Sequence, residues 1–521
     1  MNVLLVSPKM DTFPLGISYI SASLKKAGHT VKGHIFSSPS RLGEELMRGG
    51  FDLAGIGGMT LHFNSLKVIS EIIREHGVPI VGGGSAFTSE PELFSRELKV
   101  DFAVLGEGEE AIVALVDALE RKRPVERIPG IGYFSGKDFR LTGPPKQITA
   151  LDSLPYPDFE EFGYLDFLKT LKPTDQLFDV FDQPKAYPLL TSRSCPYLCT
   201  FCYHPLGTKY RERSVKSIIE EIDFAISKYG INIVEFYDEL FAQNEARFKE
   251  FCRKFKETTA KYPWPIRFSC SLRVSDIKEG VLDMLKDAGC HLIIYGFESY
   301  SPIVLKSMKK YISPEQIHQA LHKTLEKKIA IQASFIFGDP AETLETAHET
   351  LSFWKKHPEA GILLQKIIPC PDSEDYRLCL RKGLIKDKIR FFSKDLYEPV
   401  NMTSMTEGDF QTLLADISKY YHRYLTYVVP LSRKNDSHTI KCPYCGEIVL
   451  YKNYSTHPLF YCRATYCRSC RKRFLNSSGL YVVFARILSI MTTPFTYRIF
   501  RFLKKISGII SPHLIYKDLK L

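Results

Sequence analysis

Ser192-Arg193-Ser194-Cys195-Pro196-Tyr197-Leu198-Cys199-Thr200-Phe201-Cys202-Tyr203 follows directly on an apolar run at 187–192 that reads as a buried strand. The cysteines are spaced C-x3-C-x2-C. Three thiolates on one short loop can hold three irons of a four-iron cluster and leave the fourth iron open, whereas a fully ligated electron-transfer cluster wants four cysteines. An open iron can bind the amino and carboxylate groups of a small molecule and pass it an electron. A zinc knuckle, or three unrelated buried thiols, is the rival reading. Zinc needs a fourth protein ligand, for which His204 is the local candidate.

Outward from this loop, strand candidates recur at 187–192, 232–237, 267–271, 291–296, 331–337 and 362–368. Amphipathic helices separate them; in the clearest, Val215, Ile218, Ile222 and Ala225 share one face. Six such βα units predict a partial barrel over 186–402 with its chemistry at the strand C-termini. Upstream, residues 1–135 alternate in the same way, with strands at 2–6, 52–56, 79–81, 101–105 and 131–134 and helices at 65–76 and 109–120. That pattern predicts an α/β, doubly wound, Rossmann-like parallel sheet. Residues 136–185 read as a linker, because Gly143-Pro144-Pro145 and Leu154-Pro155-Tyr156-Pro157 break both periodicities. A helical extension is expected over 403–438, a cysteine-rich module over 439–475 and a basic, apolar tail over 476–521.

The predicted strand ends carry polar and glycine-rich motifs. Gly82-Gly83-Gly84 and Gly106-Glu107-Gly108-Glu109 would let a flat ligand or its tail approach the backbone. In the barrel half stand Phe236-Tyr237-Asp238-Glu239, then Arg273, then Tyr295-Gly296-Phe297-Glu298-Ser299, with Ser307-Met308-Lys309-Lys310 after it. Phe337-Gly338-Asp339-Pro340-Ala341-Glu342-Thr343 closes the fifth strand candidate. In order and placement this set resembles the radical S-adenosylmethionine (SAM) superfamily, and the region in front resembles the cobalamin-binding domain found ahead of many of its barrels. The resemblance implies a [4Fe-4S] cluster on Cys195, Cys199 and Cys202 that cleaves SAM to a 5′-deoxyadenosyl radical. It places Tyr203 against the adenine, Asp238 and Glu239 at the methionyl amine, Arg273 at the carboxylate and Glu298 in the cofactor pocket. It assigns Gly82, Gly83, Gly84, Gly106 and Glu107 to cobalamin. Two departures stand out: Ser194 where many relatives have glycine, and Pro369-Cys370-Pro371-Asp372-Ser373 where relatives often read P-x-P-G-T. The D-x-H-x-x-G motif that supplies a cobalt-ligating histidine is also absent, since Asp11 is followed by Thr12-Phe13-Pro14. Either a corrinoid without a histidine ligand or a domain that has lost the cofactor is therefore expected, and His62 reads as a surface loop residue rather than a ligand.

Cys442-Pro443-Tyr444-Cys445 and Cys467-Arg468-Ser469-Cys470 form two C-x2-C knuckles, which read as a four-thiolate zinc ribbon with Cys462 as a spare thiol or alternate ligand; an auxiliary iron–sulfur cluster is the rival reading. With 13 cysteines spaced for metal rather than for a disulfide framework, a reducing cytoplasm is expected, and MNVLLVSPKM does not read as a signal peptide. The net charge of +11 could favour a phosphorylated substrate, an anionic membrane surface or nucleic acid, and is too mild to choose among them. In the tail, Val482, Val483, Phe484, Ile487, Leu488, Ile490 and Met491 mix with Arg486, Arg498, Arg501, Lys504 and Lys505. This composition is too charged for a membrane span; it fits an interfacial helix at the inner face of the membrane, or a helix packed on the barrel. The expected activity is radical methylation of an unactivated carbon, on a small-molecule or lipid-linked substrate, with flavodoxin or ferredoxin as electron donor. The alternatives are radical cyclisation, rearrangement or oxidation without methyl transfer, and a non-enzymatic ribbon protein binding nucleic acid or a partner.

Overall fold

The computed structural model describes residues 1–10, 12–395 and 398–497. Apolar runs buried on both faces build two parallel sheets. In the first, β1 (Asn2–Ser7), β2 (Thr30–Ile35), β3 (Leu53–Gly57), β4 (Ile80–Gly83) and β5 (Phe102–Val104) run parallel, and β6 (Ile131–Ser135) and β7 (Asp138–Leu141) add antiparallel, in the order β2-β1-β3-β4-β5-β6-β7. The order reverses direction at β1, the switch point of a doubly wound sheet. Two expectations change here. The strand at 131–134 pairs antiparallel, and β7 extends the sheet into the segment read as linker.

The second sheet is all parallel and sequential: β8 (Ala186–Leu189), β9 (Ile233–Phe236), β10 (Arg267–Leu272), β11 (Cys290–Glu298), β12 (Ala330–Phe337) and β13 (Gly361–Lys366). This is the predicted partial barrel. Its helices follow local rules. The helix Val215–Tyr229 starts where the Ser214 side chain accepts from Ser217 N–H, buries Val215, Ile218, Ile222 and Ala225, and stops at Gly230 with φ +64°. Such a cap is worth about 1 kcal/mol.

The 136–185 segment is packed rather than loose. Phe159 and Tyr164 join Phe13 of the first domain and Tyr187 of β8 in one aromatic cluster, with Phe13 and Phe159 edge to face at 5.2 Å. These rings knit the two sheets into one continuous core. The expected helical extension is helical only over Glu407–Tyr424; strands Tyr427–Val428 and Ser432–Lys434 follow and already belong to the cysteine-rich module. That module docks on the edge where the barrel strands begin: Tyr466 donates its hydroxyl to Ile331 O (2.5 Å) and its N–H to Asp179 (2.5 Å). Gly361 has no side chain because a Cβ would lie 2.1 Å from that tyrosine oxygen. Arg498, Arg501, Lys504 and Lys505 lie outside the described residues, as does Asp11.

Candidate active site

β8 ends at Leu189, and the chain runs through Ser192–Arg193 into the cysteine loop. Asp238, at the end of β9, holds this exit in place. Its carboxylate accepts from Thr191 N–H (2.6 Å), the Thr191 hydroxyl and Ser192 N–H (3.1 Å). Burial pushes its pKa up to about 6, against those donors. Among the described residues its hydrogen bonds go to the loop, so Asp238 acts as a clamp on it. Glu239, its neighbour, makes no hydrogen bond or ion pair among the described residues and lies close enough to Cys195 and Cys202 to raise their pKa values. Its own carboxyl is raised by burial and by Asp238.

The loop is braced further by Thr200, whose N–H donates to Met308 O (3.1 Å) and whose carbonyl accepts from Asp375 N–H (3.1 Å). Burial raises all three loop thiols, Cys202 to about 12, while Lys310 and Arg273 oppose the shift at Cys199. Cations facing buried sulfur suit thiolates that carry iron. Arg273 is itself fixed: its guanidinium stacks 3.6 Å from the Tyr197 ring centroid and donates to Lys310 O (2.6 Å). Glu298 sits at φ +60° and pairs with Lys310 Nζ at 2.9 Å. The pair fills the space left by Gly296, where a Cβ would lie 2.2 Å from Glu298 Oε1 and 2.6 Å from Lys310 Nζ. A side chain there would have to displace the tips of both members of the pair. Lys310 was quoted in the sequence but given no role there; only its closeness to the thiols reveals one. The turn at 338–343 is architectural: Glu342 accepts from Gly338 N–H (2.5 Å), and Thr343 caps the helix Leu344–Trp354.

Against this rim lies a cavity of ≈ 440 Å³ between the two domains. Its first-domain wall includes a shelf of strand-end glycines, Gly57, Gly58, Gly82, Gly83, Gly84 and Gly106, bordered by side chains such as Met10, Phe13, Ile17 and Met59. A shelf of this kind fits a broad planar macrocycle, and among the described residues no histidine lines it. Not every glycine serves the ligand face. A Cβ on Gly82 would lie 2.2 Å from the Phe87 ring, so packing alone requires that residue. His62 is buried and its Nδ1 accepts from Met59 N–H (3.2 Å); Met59 lines the cavity and His62 does not.

The barrel wall of the cavity includes Leu190, Arg193, Leu206 and Tyr237, which belong to the cluster loop and the end of β9. Glu107, expected to touch cobalamin, spends its carboxylate on this junction. Oε1 accepts from Arg193 Nη1 (3.0 Å), and Oε2 accepts from Arg211 Nη1 (2.6 Å) and Ile148 N–H (2.5 Å). Glu109 takes the other Arg193 nitrogen at 2.5 Å. Burial works against the Arg193 charge, but Glu109 and Glu107 more than offset it. Tyr203, expected at an adenine, donates its hydroxyl to Ser85 O (3.0 Å) on the cavity wall and so ties the loop to the shelf. Sequence reasoning also passed over Glu235. Phe236 packs outward on Phe251, so Glu235 shares the inward face with Tyr237. It is 9% exposed, without a hydrogen bond or ion pair among the described residues, and burial raises its pKa to about 8.

In the C-terminal module, each C-x2-C knuckle caps a hairpin. The sulfur atoms of Cys442, Cys445, Cys467 and Cys470 lie within 4.8 Å of one another, an arrangement compatible with a metal ion. Cys462 stands on a strand, buried in the main core and outside this group.

Comparison with known proteins agrees with this fold. The B12 binding domain model matches residues 1–116 and the Radical SAM superfamily model residues 189–353. An uncharacterized methyltransferase of Pyrococcus horikoshii is 30% identical over 378 residues, covering 68% of this chain and 78% of that protein. An anaerobic magnesium-protoporphyrin IX monomethyl ester cyclase of Cereibacter sphaeroides is 26% identical over 66% of this chain and 57% of its own. The structure of the radical SAM methyltransferase TsrM from Kitasatospora setae superposes with a TM-score of 0.62 at 20% identity, covering 74% of this chain and 77% of that one. The protein is an enzyme that takes a [4Fe-4S] cluster, SAM and cobalamin, and it belongs to the radical SAM superfamily, among the members that carry an amino-terminal B12-binding domain.

Proposed function

We propose that this enzyme methylates an unactivated carbon of a small-molecule or lipid-linked substrate, with cobalamin as methyl donor and radical cleavage of SAM as the activating step. The observation that carries the reading is the shared wall: Arg193 and Leu206 line the glycine-shelf cavity and flank the cysteine loop on either side. A corrinoid on the shelf and a cluster on Cys195, Cys199 and Cys202 would open on one space. When bound, the cluster supplies the electron that turns the SAM sulfonium into a carbon radical, and the corrinoid supplies the methyl group.

The chain's own residues do the rest. Glu239 offers a carboxylate to the methionyl ammonium, and Arg273 offers its stacked guanidinium to the methionyl carboxylate. The Glu298–Lys310 pair holds a cation beside Cys199. With its pKa near 8, Glu235 carries a proton on its carboxyl oxygen at neutral pH, and beside Tyr237 it would hold a hydrogen-bond acceptor of the substrate in the barrel. Cys442, Cys445, Cys467 and Cys470 would hold zinc, which suits four closed thiolates with no open position.

Two further observations bear on the partners. The helix Gly479–Met491 buries Tyr481, Ala485 and Ser489, while Leu480, Val483, Ile487, Ile490 and Met491 on its other side are exposed. Phe460 of the module packs on Phe484 and widens that apolar face. An interfacial membrane contact would cover it and bring a lipid-linked substrate to the barrel. No helix among the described residues is long and apolar enough to cross a membrane. An external reductant such as flavodoxin or ferredoxin would supply the electron.

The test is anaerobic reconstitution with SAM, reductant, methylcobalamin and host lipid extract. Methyl transfer predicts 5′-deoxyadenosine together with a methylated product. Deoxyadenosine with an unmethylated, cyclised or oxidised product would sink methylation and favour the second reading, which the similarity to the anaerobic cyclase supports.

A further inference from the structure

On the far side of the barrel, where the strands begin, a second cavity of ≈ 790 Å³ separates the barrel from the cysteine-rich module. Six cations line it: Lys256, Arg267, Lys286, Lys328, Arg468 and Arg471. Asp287 is the only carboxylate among its lining residues. Three of the six are already matched, Lys256 with Asp287 (2.7 Å), Arg468 with Asp182 (2.8 Å) and Arg471 with Asp179 (3.3 Å). Arg267, Lys286 and Lys328 have no ion pair among the described residues; Arg267 and Lys286 donate only to the backbone carbonyls of Ile266 and Lys328.

Arg471 is the informative member. It is 4% exposed, its Asp179 contact is long, and its Nε and Nη2 have no hydrogen-bond partner among the described residues. A guanidinium buried with two unmet donors is costly unless an acceptor arrives. Its charge is felt across the cavity: burial first, and then Arg471, depresses the pKa values of both Arg267 and Lys286. Cations that repel one another around an open cavity are held there at a cost that an anion would remove. Tyr262 and Trp264 stand on the same wall with ring centroids 5.7 Å apart, and Trp264 is partly exposed. The cavity lies at the strand N-termini, away from the cluster loop, so neither SAM nor the corrinoid accounts for it.

We propose that this cavity is an anion site for a phosphate-bearing small molecule, with Arg267, Lys286, Lys328 and Arg471 receiving the phosphoryl oxygens. Arginine forks and lysine point charges together suit a di- or polyphosphate better than a carboxylate. The neighbouring rings make a nucleoside diphosphate one source and inorganic pyrophosphate the other.

Isothermal titration of the purified full chain, zinc-replete, with pyrophosphate and separately with ADP tests it. Saturable one-site binding by either probe is expected. It should weaken by about tenfold or more in Lys286→Gln/Lys328→Gln, whose side chains are exposed and whose loss should leave the fold intact. Arg267→Gln provides an independent second variant with the same expectation. Equal affinity for both probes assigns recognition to the phosphates alone, and tighter ADP binding brings in Trp264; either supports the site. Deoxyadenosine formation should be unchanged in the variants, which separates failure here from failure of the methylation reading. No saturable binding below about 1 mM, or the same affinity in wild type and variants, would overturn the proposal.

Discussion

Replacing Glu107 by alanine should uncouple the two domains. Its carboxylate is 1% exposed and bridges Arg193 and Arg211, whose side chains are 8% and 5% exposed. The alanine leaves Arg193 with Glu109 as its one ion-pair partner, and Arg211 with Ile148 O, Lys209 O and the Ser194 hydroxyl. It also strands the Ile148 N–H. Removing one partner of a buried pair costs about 3–5 kcal/mol because the remaining charge stays buried. Against a total stability of about 5–15 kcal/mol that is a large fraction. Glu107→Gln keeps one acceptor oxygen and the shape, so its cost should fall near that of a lost charged hydrogen bond, about 1.5–3 kcal/mol. Urea unfolding followed by fluorescence reads both, with the exposed Glu110→Gln as control, expected within about 0.5 kcal/mol of wild type. Arg193 lines the corrinoid cavity, so retention of cobalamin through gel filtration should fall in the same order, alanine below glutamine below wild type. If Glu107→Ala matched the Glu110→Gln control in stability, the buried network would not be what joins the domains.

Three other outcomes follow from the site. Asp238→Asn should lower the melting temperature by leaving a buried donor of Thr191 or Ser192 unmet, about 1–3 kcal/mol, whereas Glu239→Gln should melt like wild type and bind SAM more weakly in equilibrium dialysis; the reverse pattern would exchange their roles. Cys445→Ser should release zinc, read by elemental analysis, while leaving the cluster iron in place, and loss of both metals together would refute two independent sites. Native Glu235 holds its proton up to about pH 8, and the unfolded chain releases it near the usual glutamate value, so its contribution makes stability fall as pH rises from about 4.5 to 8. Glu235→Gln should remove that fall, and unfolding midpoints running parallel in the two proteins across the window would refute it.

The barrel and its loop were legible in the sequence because both rest on local signals. Buried parallel strands are continuous apolar runs, and a C-x3-C-x2-C loop needs no tertiary information to suggest three irons. The strand at 30–35 carried a weaker signal: Lys32, Gly33 and His34 interrupt its pattern, and Gly33 packs so tightly that a Cβ would meet Glu161 at 2.9 Å. Side-chain roles were the least legible. Asp238 and Glu239 are adjacent and chemically alike, yet one faces the chain and the other the thiols. Strand-end geometry decides which, and that geometry depends on Thr191, 47 positions away.

Glu107 shows why the polar motifs resisted a reading residue by residue. A Gly-Glu-Gly-Glu turn at a strand end suggests a ligand site, and its glycines do border the cavity. Both glutamates turn to Arg193, two positions before the first cluster cysteine. The shelf that would carry the corrinoid and the loop that would carry the cluster therefore share one buried ion network. A shift of either would move the other, because a carboxylate held on three donors has no second low-energy arrangement in a dry interface. Chemistry that passes a substrate between two cofactors needs their separation held constant, and in this chain the two walls that would hold them are joined by the ion pairs of Glu107 and Glu109 with Arg193 and Arg211.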